Sequence, residues 1–121
     1  MEITEIYRKI AAHNQARKRC IKLENKEWEE KHTETIEELL RELPHGSGLD
    51  GGWSFDGWKS NSNLLIFHTV FHSINENGYY DRYIEFTLKV KADLELGLKI
   101  SITGNFGKRQ DIKKYLYEIL Q

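Results

Sequence analysis

A chain of 121 residues has room for one domain. Hydrophobic residues make up 39% of it and charged residues 31%, a composition that excludes a disordered chain. The net charge of −1 argues against a strongly basic nucleic-acid binder, and no apolar run approaches the roughly 18–20 residues that cross a bilayer. The charged N-terminus lacks a secretory signal, and one cysteine cannot form an internal disulfide. We therefore expect a cytoplasmic protein without a membrane partner.

Residues 1–43 contain neither glycine nor proline and carry two runs of helical periodicity. The apolar positions with this spacing are Ile3, Ile6, Tyr7, Ile10, Ile36, Leu39, Leu40 and Leu43. One helix of 43 residues would be long for a domain of this size, so we expect a break. Two break points fit: residues 24–27, and residues 33–35, where Thr35 and Glu38 would form a capping box.

The apolar period changes from 3.6 to 2 after the glycine-rich loop 44–52, which begins at Pro44. The strands that this period predicts lie at 52–58, 63–74, 79–92 and 94–103. A short amphipathic helix is expected at 109–120. The predicted fold class is α+β: N-terminal helices, a four-stranded antiparallel sheet over 53–103 and a C-terminal helix, in a single domain 1–121 with the helices on one face.

The dipeptide Asn77-Gly78 is typical of a two-residue hairpin turn, because both residues tolerate a positive φ. With this turn, the residue numbers of each facing pair sum to 155, so that His72 faces Tyr83. Glu85 then lies diagonally from His72, and all three residues are on the sheet face that is turned away from the core. His68 and His72 would be about 13 Å apart along the strand, too far to share one ion without other ligands. We therefore predict no metal and no cofactor.

The His72 and Glu85 pair supports two interpretations. A carboxylate beside an imidazole raises its pKa and fixes its tautomer, as general acid/base chemistry needs. The same pair is also an ordinary feature of a half-exposed sheet, where it would be structural or contact a partner. The catalytic candidates, if the chain is an enzyme, are His72, Glu85, Tyr83 and Asp81.

Residues 45–52, HGSGLDGG, lack the third glycine of a dinucleotide fingerprint and a Walker lysine, so a helix C-cap followed by a turn explains them better than phosphate binding. Aromatic residues near the first strand and the hairpin tip would suit a protein-binding hot spot or stack on unpaired bases. Residues 16–22 hold four cations and no acid, either a basic patch or part of a solvated helix face. The residues that we predict to contact a partner are Arg17, Lys18, Arg19, Lys22, Asp50, Trp53, Tyr79, Tyr80, Arg82 and Tyr83.

Segments 20–52, 71–86 and 102–120 together resemble a group of small uncharacterised proteins of phages and bacterial mobile elements. That group joins an NxEW…H…I helical segment to a P-S-G-S-G-x-D-x-G loop, an F-H-H-M-N-E-x-G-x-Y-D-x-W-x-E-H hairpin and an R-N-x-I-K-x-Y-L helix. The positions that the resemblance highlights are Gly46, Gly48, Asp50, His72, Asn75, Glu76, Gly78, Tyr80, Asp81 and Glu85. The chain departs from the group at Ser73 and Phe86, where the group has histidine, and at Tyr83, where it has tryptophan.

The resemblance, the lack of a complete catalytic motif and the segregated charge predict a non-enzymatic binding protein. Its expected partner is a host protein or a protein–nucleic-acid complex in a bacterial cell, and an anti-CRISPR inhibitor of host defence is the most specific version. Two alternatives stay open. One is a small acid/base enzyme that uses His72 and Glu85 on a phosphate or nucleotide, and the other is a nucleic-acid-binding module that uses the basic stretch from Arg17 to Lys22.

Overall fold

Three helices and four strands make up the part of the chain that the structure, a computed structural model, describes: residues 2–44, 49–74, 80–95, 97–104, 106 and 110–121. Their order is α1 (Ile3–Lys22), α2 (Lys26–Arg41), β1 (Leu49–Phe55), β2 (Leu64–Ile74), β3 (Tyr80–Asp93), β4 (Lys99–Thr103) and α3 (Gln110–Leu120). The strands form one antiparallel sheet in the order β1-β2-β3-β4. The predicted α+β class and the antiparallel sheet are confirmed.

The break in the N-terminal helical segment lies between α1 and α2, at the first of the two predicted points. Glu24 adopts a φ of 54°, which reverses the chain, and the Asn25 side chain then caps α2 by accepting from the Trp28 N–H at 3.3 Å. The alternative break at 33–35 is wrong. Thr35 lies inside α2, where its hydroxyl donates to the Lys31 carbonyl at 3.0 Å. No helix begins at Thr35, so it does not act as an N-cap.

The helices pack on one face of the sheet, and their apolar stripes meet the inward side chains of the strands in one core. The helical positions predicted from periodicity are buried there or packed against it. The opposite face is mixed, because it carries the buried Ile66, which lies outside the core cluster, as well as polar side chains. One cross-strand row on it reads Ser54, His68, Lys89 and Thr103, of which the outer two are exposed and the inner two half-buried.

The register between β2 and β3 differs from the predicted one. Facing residue numbers sum to 157 over most of the ladder, as in His72 facing Glu85, and to 154 at its end, where Ile74 faces Tyr80. The predicted sum of 155 is therefore wrong. An irregularity between His72 and Ser73 gives β3 extra residues, and such a bulge changes which residues face each other. The predicted turn residues Asn77 and Gly78 lie outside the described residues.

One side chain joins α1, the sheet and α3. Tyr7 is fully buried, its ring stacks on Phe67 of β2 with the centroids 5.8 Å apart, and its hydroxyl donates to the Leu120 carbonyl at 3.0 Å. Burial raises the pKa of Tyr7 well above its usual range, because desolvation disfavours the phenolate. The group is therefore a neutral hydrogen-bond donor at any physiological pH.

Replacing Tyr7 tests this connection. We expect Tyr7→Phe to lower the free energy of unfolding by about 1–2 kcal/mol, because the Leu120 carbonyl loses a buried donor while the ring stays. Tyr7→Ala should lower it by about 3–5 kcal/mol, the usual effect of emptying a large aromatic site. Urea denaturation measures both values. The matched control is Tyr115→Phe on α3, where the side chain is 46% exposed and the change should stay within about 0.5 kcal/mol. Equal values for Tyr7→Phe and the control would contradict this account.

Candidate functional site

A groove of about 580 Å³ lies between α2, β1 and the loop that follows β1. Its buried lining includes Ile36 and Trp53, and its charged lining includes Arg17, Glu37 and Arg41. We call this surface the α2–β1 groove. It combines apolar surface with two guanidinium groups and one carboxylate, and β1 places it at an edge of the sheet.

Two tryptophans of the α2–β1 groove have different environments. Trp53 is only 6% exposed; its indole N–H donates to the Pro44 carbonyl at 3.1 Å, and its ring meets Phe67 edge-on at 5.2 Å. As a core side chain, Trp53 has little surface left for the partner contact predicted for it, because β1 turns this position inward. Trp58, on the loop after β1, is 76% exposed and is the larger aromatic surface of the groove.

Arg17 is held in place beside Trp58. Its Nε and Nη2 donate to Asn14 Oδ1 at 3.2 and 2.9 Å, and its Cζ lies 5.9 Å from the centre of the Trp58 ring. Asn14 is itself fully buried and donates from Nδ2 to the Gly57 and Ser60 carbonyls, both at 3.4 Å. The network fixes a cation and an aromatic ring side by side.

The basic stretch, for which the sequence allowed either a patch or part of a solvated helix face, is divided by the structure. Lys18 Nζ donates to the Ser60 carbonyl, so Lys18 and Arg17 both serve contacts within the protein. Arg19 and Lys22 are exposed. Successive helical positions differ by about 100° in direction, so neighbours in the sequence need not share a face. By this spacing Lys18, Arg19 and Lys22 fall within about 100° of one another around α1, and Arg17 lies outside that arc.

The predicted catalytic candidates fall on two sides of the irregularity in β3. His72 directly faces Glu85, a closer placement than the diagonal one predicted. Asp81 faces Ser73 beyond the irregularity, and Tyr83 falls within it. The register thus brings two of the four residues into a facing pair.

The remaining predicted contacts are spread over the sheet. Asp50 faces Val70 across β1 and β2, Tyr80 begins β3, and Arg82 falls within the irregularity of that strand. Tyr79 lies outside the described residues, as do five positions highlighted by the resemblance: Gly46, Gly48, Asn75, Glu76 and Gly78.

A pair of histidines between α1 and α2 was missed by the sequence analysis. The Nδ1 atoms of His13 and His32 lie 3.0 Å apart, and both residues are half-buried. The pKa of His13 is lowered, first by burial and then by the charges of His32 and Lys9. The only sequence signal is that His13 follows the buried Ile10 by three residues, at the margin of the apolar stripe of α1.

The chain matches no protein-family model, no curated protein and no solved structure. Within the described residues, no helix is long and apolar enough to cross a membrane.

Gly57 makes room for Arg17. A Cβ added at Gly57 would overlap Arg17 Nη2 and lie 3.3 Å from Asn14 Oδ1. We expect Gly57→Ala to displace the guanidinium from Asn14 and to lower the free energy of unfolding by about 1–2 kcal/mol, because two hydrogen bonds of about 1 kcal/mol each are lost. Urea denaturation measures the change, and the NMR shift of the Asn14 side-chain amide reports the displacement.

The matched control is Gly52→Ala, because a Cβ at Gly52 would have no atom within 4 Å. That change should stay within about 0.5 kcal/mol. In an Arg17→Ala background, Gly57→Ala should lose most of its effect, since the displaced group is already gone. An undiminished effect in that background would show that Gly57 acts through something other than Arg17.

Proposed function

We propose that this chain is a small non-enzymatic binding protein of phage or mobile-element type, and that it docks a host protein, alone or within a nucleoprotein complex, at the α2–β1 groove. The observation that carries the proposal is the exposed Trp58 beside Arg17, in a groove that Arg41 and apolar side chains also line. Tryptophan and arginine are the residues most enriched at the energetic centres of protein interfaces.

The loop that carries Trp58 is ordered by internal hydrogen bonds. The buried Ser60 hydroxyl donates to the Asp56 carbonyl at 2.7 Å and accepts from the Ile66 N–H at 2.8 Å, and Asn61 Oδ1 accepts from the Leu64 N–H at 2.8 Å. A contact residue on an ordered loop loses less conformational entropy on binding. This order supports a preformed docking surface.

Charge favours a protein over a nucleic acid as the partner in this groove. Helix α2, which forms one wall, carries six glutamates against three cations. A phosphate backbone laid along it would be repelled, and Lys18 is engaged within the protein. A protein surface with an apolar anchor and mixed charges fits the lining better, so the nucleic-acid-binding alternative is the less supported.

The resemblance to phage and mobile-element proteins supports a target in the cytoplasm of a bacterial host. Inhibition of a defence complex, in the manner of an anti-CRISPR protein, is the most specific form of the proposal. In that form the chain would contact a protein subunit of the complex through the α2–β1 groove.

Affinity capture tests the docking surface. We expect a defined host protein to be retained by the wild-type chain and by Tyr115→Ala, a control that removes an exposed aromatic residue of α3. The double variant Trp58→Ala/Arg41→Ala should weaken its binding by about thirtyfold or more, because even one hot-spot residue of this type carries roughly 2 kcal/mol. The interaction is then measured with the purified partner by calorimetry, after urea denaturation has shown that both variants are folded.

Three outcomes would count against this proposal. Equal binding by the wild type, the control and the double variant would place the interface elsewhere. Capture of nucleic acid alone would favour the nucleic-acid-binding alternative. For the defence form, phage should form more plaques on a CRISPR-protected host that expresses the wild-type chain than on one that expresses the double variant; equal plaque numbers would reject it.

The enzyme alternative has one observation in its favour, the direct facing of His72 and Glu85. Directly opposed positions are nearest neighbours across a sheet, which suits an acid/base pair. If this pair is catalytic, His72→Gln should abolish hydrolysis of a phosphate ester or nucleotide, while the control His68→Gln should retain it. No turnover by the wild type, or equal turnover by the two variants, removes the enzyme hypothesis.

A further inference from the structure

The α2–β1 groove reaches the backbone edge of the sheet. Strand β1 is the outermost strand on its side and pairs with β2. Its groove-lining residues point to both sides of the strand: Trp53 and Phe55 turn toward the core, and Ser54, between them, is exposed. Because side chains from both faces of β1 line the groove, the backbone edge between those faces borders it as well.

The backbone of Phe55 directs two hydrogen-bonding groups out of this edge. The N–H of the next residue, Asp56, donates to the Ile66 carbonyl of β2 at 2.9 Å. The Phe55 carbonyl belongs to the same trans peptide unit and points the opposite way, away from β2. The Phe55 N–H points the same way as its carbonyl, since the two groups of one strand residue share a direction. Among the described residues, no backbone group on that side bonds to either of them.

The opposite edge of the sheet is treated differently. In β4 the Ile102 N–H donates to the Tyr117 hydroxyl of α3 at 3.0 Å, so this edge group is already paired. An unpaired edge is a template for another strand, and proteins usually block it. Within the part of the chain that the structure describes, the fold blocks one edge at Ile102 and leaves the other open at Phe55, beside a groove.

The charge of the groove favours an acidic occupant. Asn14 accepts from two of the five N–H donors that the Arg17 guanidinium carries, which leaves the others for a partner. In the described ranges, neither Arg17 nor Arg41 forms an ion pair with a carboxylate. The lining holds one carboxylate, Glu37, against these two cations. A carboxylate that binds a guanidinium through two parallel hydrogen bonds makes a strong and directional contact.

We propose that the α2–β1 groove binds an extended segment of the partner protein as an additional strand beside β1, with an acidic side chain of that segment held by the guanidinium groups of the groove. The inference rests on the function proposed above and specifies how the partner binds. Main-chain hydrogen bonds to Phe55 supply affinity, and alternate side chains of the segment supply specificity. The ladder of β1 is irregular between Asp50 and Ser54, so the added strand is centred on Phe55.

Peptide selection tests this binding mode without an identified partner. A yeast-displayed library of random peptides, each of about twelve residues, is panned against the purified protein. We expect the enriched peptides to carry an acidic residue and to have apolar residues at alternate positions. Arg41→Gln should weaken their binding by about tenfold or more, because a charge-assisted hydrogen bond is lost. The matched control is Arg19→Gln, which removes an exposed arginine outside the groove and should bind like the wild type.

The main-chain contacts are tested with an enriched peptide and the wild-type protein. Methylation of the peptide's backbone nitrogens, one at a time, should weaken binding by about fivefold or more at every second residue, because alternate amides of a strand point to its neighbour. At saturating peptide, the Phe55 N–H should exchange with solvent about tenfold or more slowly. The Ile102 N–H, which already donates to Tyr117, should exchange at an unchanged rate.

Several results would overturn strand addition. They are the absence of any library peptide that binds at millimolar concentration, methylation effects without alternation, and an unchanged exchange rate of the Phe55 N–H. A dimer of the chain that protects this N–H in the absence of peptide, detected by sedimentation, would assign the edge to a second copy instead. Failure of the proposed function would look different: the wild type and Trp58→Ala/Arg41→Ala would capture the host protein equally.

Discussion

The hydrogen bond from the Tyr7 hydroxyl to the Leu120 carbonyl is the constraint on which the architecture depends. It joins residues 113 positions apart, and the same ring stacks on Phe67 at the centre of the sheet. A fully buried phenol must have a partner, because an unpaired hydroxyl would be left without its hydration. The C-terminal end of α3 is thereby fixed against α1, and both helices lie on the same face of the sheet.

A second buried polar group on α1, the Asn14 side chain, holds the loop of the candidate docking surface in place. Asn14 lies two turns beyond Tyr7, and its amide joins α1 to the loop that carries Trp58 while its oxygen holds Arg17. Cations that resemble a nucleic-acid patch in the sequence are therefore used to order a loop. The result is an exposed aromatic side chain on an ordered loop beside a guanidinium held in place.

The irregularity in β3 shows how a local signal can be overridden by the sheet. A two-residue turn specifies the register only where the ladder is continuous from the turn onwards. In this chain the ladder shifts between His72 and Ser73, so the pairing beyond that point is set by the contacts of β2 with the rest of β3. His72 and Glu85 face each other as a result, whereas continuing the pairing of Ile74 with Tyr80 would put Arg82 opposite His72.

The sequence by itself determined the α+β class, the helical segments and the core positions such as Ile6, Ile10, Leu39 and Leu40, because the period of burial along a helix or a strand is a local property of the chain. It left open the break at Asn25, which the capping contact decided between two similar signals. Only the tertiary structure decided that Trp53 is buried while Trp58 is exposed and that His13 meets His32. These outcomes depend on which distant segments pack together, and the residue spacing within any one segment carries no record of that packing.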